Sequence, residues 1–173
     1  LVGSVMASPN KREFSKTINK QFNINADGII NLNNKYGQID IKTWEQNSVR
    51  ISVKIIVNAT SESAATTQFD LIDIHFSNSG NEVSATTEIE SKKSSWWSWG
   101  DSCEDFSINY DVFMPASANI NVVAKYCDVF VVATTGQADM NVKYGNFKID
   151  ALGEDSEVVL AYGNGSINRV RDL

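Results

Sequence analysis

The segments Val122-Val-Ala-Lys-Tyr126-Cys-Asp-Val-Phe-Val131, Met140-Asn-Val-Lys-Tyr144-Gly-Asn-Phe-Lys-Ile149 and Val158-Val-Leu-Ala-Tyr162-Gly-Asn-Gly-Ser-Ile167 repeat one pattern, their tyrosines 18 residues apart twice in succession. A fourth copy, Leu32-Asn-Asn-Lys-Tyr36-Gly-Gln-Ile-Asp-Ile41, places its tyrosine 90 residues before Tyr126. A fixed period of this length signals stacked or duplicated supersecondary units, so it governs how the rest of the chain is read.

Within each copy apolar residues fall two apart up to the tyrosine and resume three residues after it, as in Met140, Val142, Tyr144 and then Phe147, Ile149. Period-two alternation marks a half-buried strand, and a flip of phase marks a bend that keeps the inward face inward. The residue after the tyrosine is Gly37, Gly145 or Gly163, with Cys127 in the remaining copy. Glycine reaches positive φ at little steric cost, so the expectation places the bend on these glycines. Further corners are expected at Thr135-Gly136 and Leu152-Gly153. Each copy then reads strand, corner, strand, and since no copy can bury its apolar face alone, the copies must stack. The expected fold is all-β, either β-solenoid-like or a two-sheet stacked β-strand repeat with 18-residue rungs. In it Tyr126, Tyr144 and Tyr162 form a column, with Tyr36 at a matching corner of a separate or adjoining layer. Such a column is a sufficient structural ladder without any ligand; a row of rings that grips one is the sharper reading.

With 173 residues, 42% hydrophobic and 21% charged, the chain supports one sizeable core and is short for two. One domain over residues 8–173 is expected, with the repeats in 119–170 and a non-repetitive insert in 45–114. The net charge of −6 disfavours a nucleic-acid partner, because phosphate binding rests on clustered basic residues and the nearest approach to such a cluster is the pair Lys92-Lys93. No apolar run reaches the length of a membrane-spanning helix. Residues 1–7, Leu1-Val-Gly-Ser-Val-Met-Ala7, are small and apolar and read as the end of a secretory signal or as a leader.

Between the first copy and the last three, Val49, Ile51, Val53, Ile55 and Val57 alternate strictly and give the longest strand signal. Thr60 or Ser61 starts a short helix that ends by Leu71, and Ile72 to Phe76, Glu82 to Glu90 and Phe106 to Met114 are strands. The insert is therefore expected to be antiparallel with one short helix, flanking the stack or covering an end of it. An entry strand is expected at Phe22 to Ile24, after a polar lead.

Inside the insert, Trp96, Trp97 and Trp99 stand among Ser, Gly and charged residues, without strand or helix period. They are the sequence's candidate ligand- or partner-binding residues, since large rings carry much of the energy of interfaces. The competing reading is a loop whose indoles cover the sheet. Cys103 and Cys127 are candidates for a disulfide. With His75 as the chain's one histidine, neither a Cys/His nucleophile nor a zinc site is expected. Phosphate-binding, nucleophile-elbow and zinc-protease motifs are all missing, so no catalytic residue, metal or cofactor is expected. Paired carboxylates, among them Asp101, Glu104 and Asp105, leave open a glycan-active enzyme or a calcium site, but such groups in polar loops are mostly solvated.

These elements in this order, with Leu32 to Trp44, a long Val/Ile strand, the helix-bearing insert, Phe106 to Pro115 and the terminal Tyr-Gly copies, resemble the bacterial putative-adhesin family of β-strand-repeat envelope proteins. The resemblance covers about residues 14 to 170. It implies an exported, non-enzymatic protein at the cell envelope or outside the cell, meeting a protein or glycan. It brings no catalytic residues with it.

Overall fold

The computed structural model describes residues 10–90 and 106–170. Among them the elements are β1 (Arg12–Asn23), β2 (Ile29–Trp44), β3 (Ser48–Ala59), α1 (Glu62–Phe69), β4 (Ile72–Ser79), β5 (Glu82–Ile89), β6 (Phe106–Pro115), β7 (Asn119–Val131), β8 (Ala138–Lys143), β9 (Phe147–Ile149), β10 (Glu157–Ala161) and β11 (Gly165–Ile167). The all-β expectation agrees with this one large mixed sheet and its short helix. Ser61 caps α1, its hydroxyl accepting from the Ala64 amide at 3.2 Å.

Parallel pairing follows the 18-residue offset. Val122 lies beside Met140 and Met140 beside Val158, while Val129 lies beside Phe147 and Ile149 beside Ile167. The first copy joins on the other side at an offset of 90, Leu32 beside Val122 and Ile39 beside Val129. Both β2 and β7 pass through the bend and so belong to two wings of the sheet. In one wing the order is β4, β5, β2, β7, β8, β10; in the other it is β1, β3, β6, β2, β7, β9, β11. The inward side chains of both wings, among them Ile30, Leu32, Ile39, Ile41, Val122, Val129, Val142 and Ile149, merge into one apolar cluster with the face of β3.

Four expectations need correction. The insert is not simply antiparallel: β3–β1, β3–β6 and β4–β5 are, but β5 and β6 pair parallel with β2, so the insert builds both wings out from the first copy. The entry strand starts at Arg12, because its whole length pairs with β3 while only Phe14, Ile18 and Phe22 pack inward. The bend residue is the tyrosine rather than the glycine: Tyr36, Tyr126, Tyr144 and Tyr162 take φ of 60°, 53°, 56° and 61°. This turns the rings of Tyr126, Tyr144 and Tyr162 outward, leaving that of Tyr36 half-buried against the core, so the tyrosine does not continue the inward series of Met140 and Val142. Finally, the repeat pattern makes both Val142 and Leu160 expected core positions, yet Leu160 is only half-buried where Val142 is fully buried, because no described layer covers β10 on its far side. Among the described residues no helix is long and apolar enough to cross a membrane.

Candidate functional site: a tyrosine column at an open corner

A bulky side chain in the left-handed region is a rare outlier that costs about 1–2 kcal/mol. Here four occur at the same place in successive layers. Their rings stack nearly parallel, with centroids 5.2 Å apart between Tyr36 and Tyr126, 4.9 Å between Tyr126 and Tyr144 and 4.9 Å between Tyr144 and Tyr162. Phe106 closes one end of the column, edge-on to Tyr36 at 5.4 Å. Among the described residues nothing covers the other end, where Tyr162 is 73% exposed against 39% for Tyr144.

Beside the column runs an open groove of about 450 Å³, lined by Tyr126, Tyr144 and Tyr162, by Cys127, Asp128 and Asn146, and by Gly37, Gly145 and Gly163. The glycines are needed for close approach: a Cβ on Gly145 would collide with the backbone carbonyl of Cys127 in the layer below. The acid and amide wall is itself a ladder. Asp128 Oδ1 accepts from the Asn146 backbone amide at 2.7 Å, and Asn146 Oδ1 accepts from the Asn164 amide at 3.1 Å. The Asp128 carboxylate is thus engaged in holding layers together.

On the other side of the rings stands a column of lysines. Lys35 lies beside Lys125 and Lys125 beside Lys143 in the parallel register, all exposed. The ammonium groups of Lys125 and Lys143 each sit 5.3 Å from the centroid of the adjacent tyrosine ring. The sequence carried this signal openly, as Lys-Tyr in three of the four copies, but a single exposed lysine in a strand reads as ordinary solvation until the register aligns it with others.

Behind the corner, Asn34 is fully buried and ties four strands together. Its Nδ2 donates to the Ile108 carbonyl at 2.7 Å and lies 3.5 Å from Cys127 Sγ; its Oδ1 accepts from Thr87, whose hydroxyl also meets Tyr110 at 2.8 Å. Burial pushes the Cys127 thiol up to about 12, against a smaller lowering by the Asn34 amide, and raises the Tyr110 phenol as well. A thiol held protonated in this way is a packing group rather than a nucleophile. It is free, and Cys103, its expected partner, lies outside the described residues.

Trp96, Trp97 and Trp99 also lie outside the described residues, as do Asp101, Glu104 and Asp105. The remaining tryptophan, Trp44, sits with Phe113 on the outer side of the other wing, where the Arg50 guanidinium covers both rings at 5.5 and 4.4 Å. Among the described residues no group of three His, Cys, Asp or Glu side chains is placed to hold a metal ion.

No protein-family model and no curated protein matches the chain. Among solved structures it is similar to a putative cell adhesion protein from Clostridium sporogenes, at 8% identity over 91% of this chain and 97% of the other, with a TM-score of 0.41. It is similar also to a putative adhesin from Parabacteroides merdae, at 10% identity over 90% of this chain and 57% of the other, TM-score 0.37. A third likeness is to a putative lipid binding protein from Parabacteroides distasonis, at 9% identity over 89% of this chain and 61% of the other, TM-score 0.32. The adhesin names agree with the family that the sequence resembles.

Proposed function

We propose that this chain is a non-enzymatic binding and scaffolding module, exported to the bacterial cell envelope or beyond, whose parallel layers act as rungs of a short β-solenoid and whose tyrosine corner meets a protein or glycan. One observation carries the reading: four bulky residues hold left-handed backbone in register, and three of them, Tyr126, Tyr144 and Tyr162, turn their rings to the surface beside the groove. Strain repeated in this way over-determines a surface, which is the usual reason for it to persist. A β-rich corner could bend more cheaply on glycine or asparagine and keep its rings inside. The engaged Asp128 supports a binder over a carboxylate catalyst.

The test is a screen of the folded protein on a glycan and surface-protein array, parent against the triple variant Tyr126→Asn, Tyr144→Asn, Tyr162→Asn. Asparagine tolerates the left-handed region, so the variant keeps the bend while losing the rings. The expected result is an unchanged circular dichroism spectrum with at least tenfold weaker array binding. A folded variant that binds as the parent does moves the contact elsewhere, and Trp96, Trp97 and Trp99 are then the next surface to alter.

A further inference from the structure

We propose that the lysine column and the tyrosine column together bind a linear acidic glycan of uronate-type sugars laid along the stack, with the carboxylates that face the column meeting its ammonium groups. The inference rests on the binding reading above and names the ligand class for that corner. Its first support is the repeat distance. The ring centroids step by 5.2, 4.9 and 4.9 Å, and Lys35, Lys125 and Lys143 step with the strands that carry them, about 4.7–4.9 Å apart. A surface that presents the same groups at equal intervals is satisfied at every layer only by a ligand with the same interval. In an extended glycan each sugar advances by roughly one strand spacing but turns about the chain, so hydroxyls meet every layer while carboxylates face the lysines only at intervals. Contacts that are weak singly then add along the chain, because each later one is made intramolecularly.

Charge supplies the second support. Like charges directly opposite each other in a sheet are destabilising, and here three cations are aligned on adjacent strands. Among the described residues none of the three is ion-paired. On the outer side of the same wing Asp139 and Glu157 lie in a row four residues back along the strands, and Glu88 of β5, two residues past the Asn33–Thr86 pair, is the carboxylate level with Lys35; its own contact is with His75. Across the corner, Asp128 is bonded to Asn146. An anionic polymer would relieve this repulsion along its whole length. The chain's net charge of −6 argues against a nucleic acid, which needs a broad basic surface. The neighbouring groups suit sugar hydroxyls instead: phenol hydroxyls that both donate and accept, and the amides of Asn33 and Asn141 two positions from the lysines on the same exposed side.

The experiment titrates the whole protein with oligogalacturonates of two to six sugars, with the same oligomers fully methyl-esterified, and with inorganic polyphosphate. The expected result is affinity for the acid form that rises with length up to about four sugars, weakens with salt, and falls at least tenfold on esterification. The triple variant Lys35→Gln, Lys125→Gln, Lys143→Gln should lose at least tenfold for the acid oligomers while its spectrum stays native. Equal binding of acid and ester, independence of length, or an unaffected lysine variant overturns the proposal. Polyphosphate bound as tightly as oligogalacturonate by parent and not by variant also overturns it, in favour of a bare anion site. If the array finds a ligand that is lost in the tyrosine variant but kept in the lysine variant, the acidic-glycan inference fails and the binding corner stands. If the tyrosine variant binds every ligand as the parent does, the corner itself fails.

Discussion

At Tyr144 the backbone enters the left-handed region with φ of 56°, while the following Gly145 does not. The sequence invites the opposite assignment, since Tyr-Gly pairs put the flexible residue second. What decides the matter is room. Gly145 lies so close to the carbonyl of Cys127 that any side chain would push two layers apart, so the glycine is required for contact and the bend falls to its neighbour. Stacking with two other rings, about 0.5–1.5 kcal/mol for each aromatic pair, then offsets the backbone cost of the tyrosine. Gly80 is the reverse case, with φ of 62° and open space where a Cβ would go. Replacing Gly80 by alanine should therefore cost about 1 kcal/mol for the conformation alone. Gly145→Ala should cost about 3 kcal/mol, at the upper end of overpacking, because a backbone carbonyl cannot rotate away. Urea midpoints of the two variants read the difference; equal shifts would mean that the layers have slack at the corner.

Between elements, the 18-residue spacing made the pairing of β7, β8 and β10 legible, because a fixed period leaves only one in-register parallel alignment. The same spacing placed the tyrosines in one column. The position of β6 was not legible in the same way. Its pairing with the second half of β2 joins residues about 70 apart with no periodic signal, and what fixes it is the buried group of Asn34, Thr87, Tyr110 and Cys127, which comes from β2, β5, β6 and β7 and declares itself only after folding. Leu160 was misplaced for a related reason: identity of pattern does not say which copy has a described neighbour on only one side. The buried group also sets a pH limit. The Cys127 thiol rises from its ordinary 9.0 to about 12 in the folded chain, so folding favours its protonated form. The resulting stability is fully present below the unfolded pKa, near 9, and is lost as pH rises toward 12. Urea midpoints measured from pH 8 to pH 11 should fall, and Cys127→Ala should flatten that fall, leaving the part that belongs to Tyr110. An unchanged slope in the variant would assign the whole alkaline loss to other groups.

Across the whole molecule, the two ends of the parallel stack differ. At β2 the wings continue into β5 and β4, and into β6, β3 and β1; among the described residues nothing continues them past β10 and β11, where Val159, Tyr162, Ile167 and Val170 are exposed. If the parallel layers act as the rungs proposed above, stability is a sum of nearest-neighbour contributions, and the layer with one described neighbour opens first. The backbone amides of Val129 and Phe147 make the same bond one layer apart, to the carbonyls of Asn146 and Asn164 at 2.9 and 3.0 Å. Their hydrogen exchange should nevertheless differ, with Phe147 losing its proton at least tenfold faster by nuclear magnetic resonance, since its acceptor sits in the terminal layer. Identical rates would mean that the sheet opens only all at once. A gradient would mean that the chain frays like a zipper from its Gly165–Ile167 tab, and that a protease meets the last copy long before it meets the first.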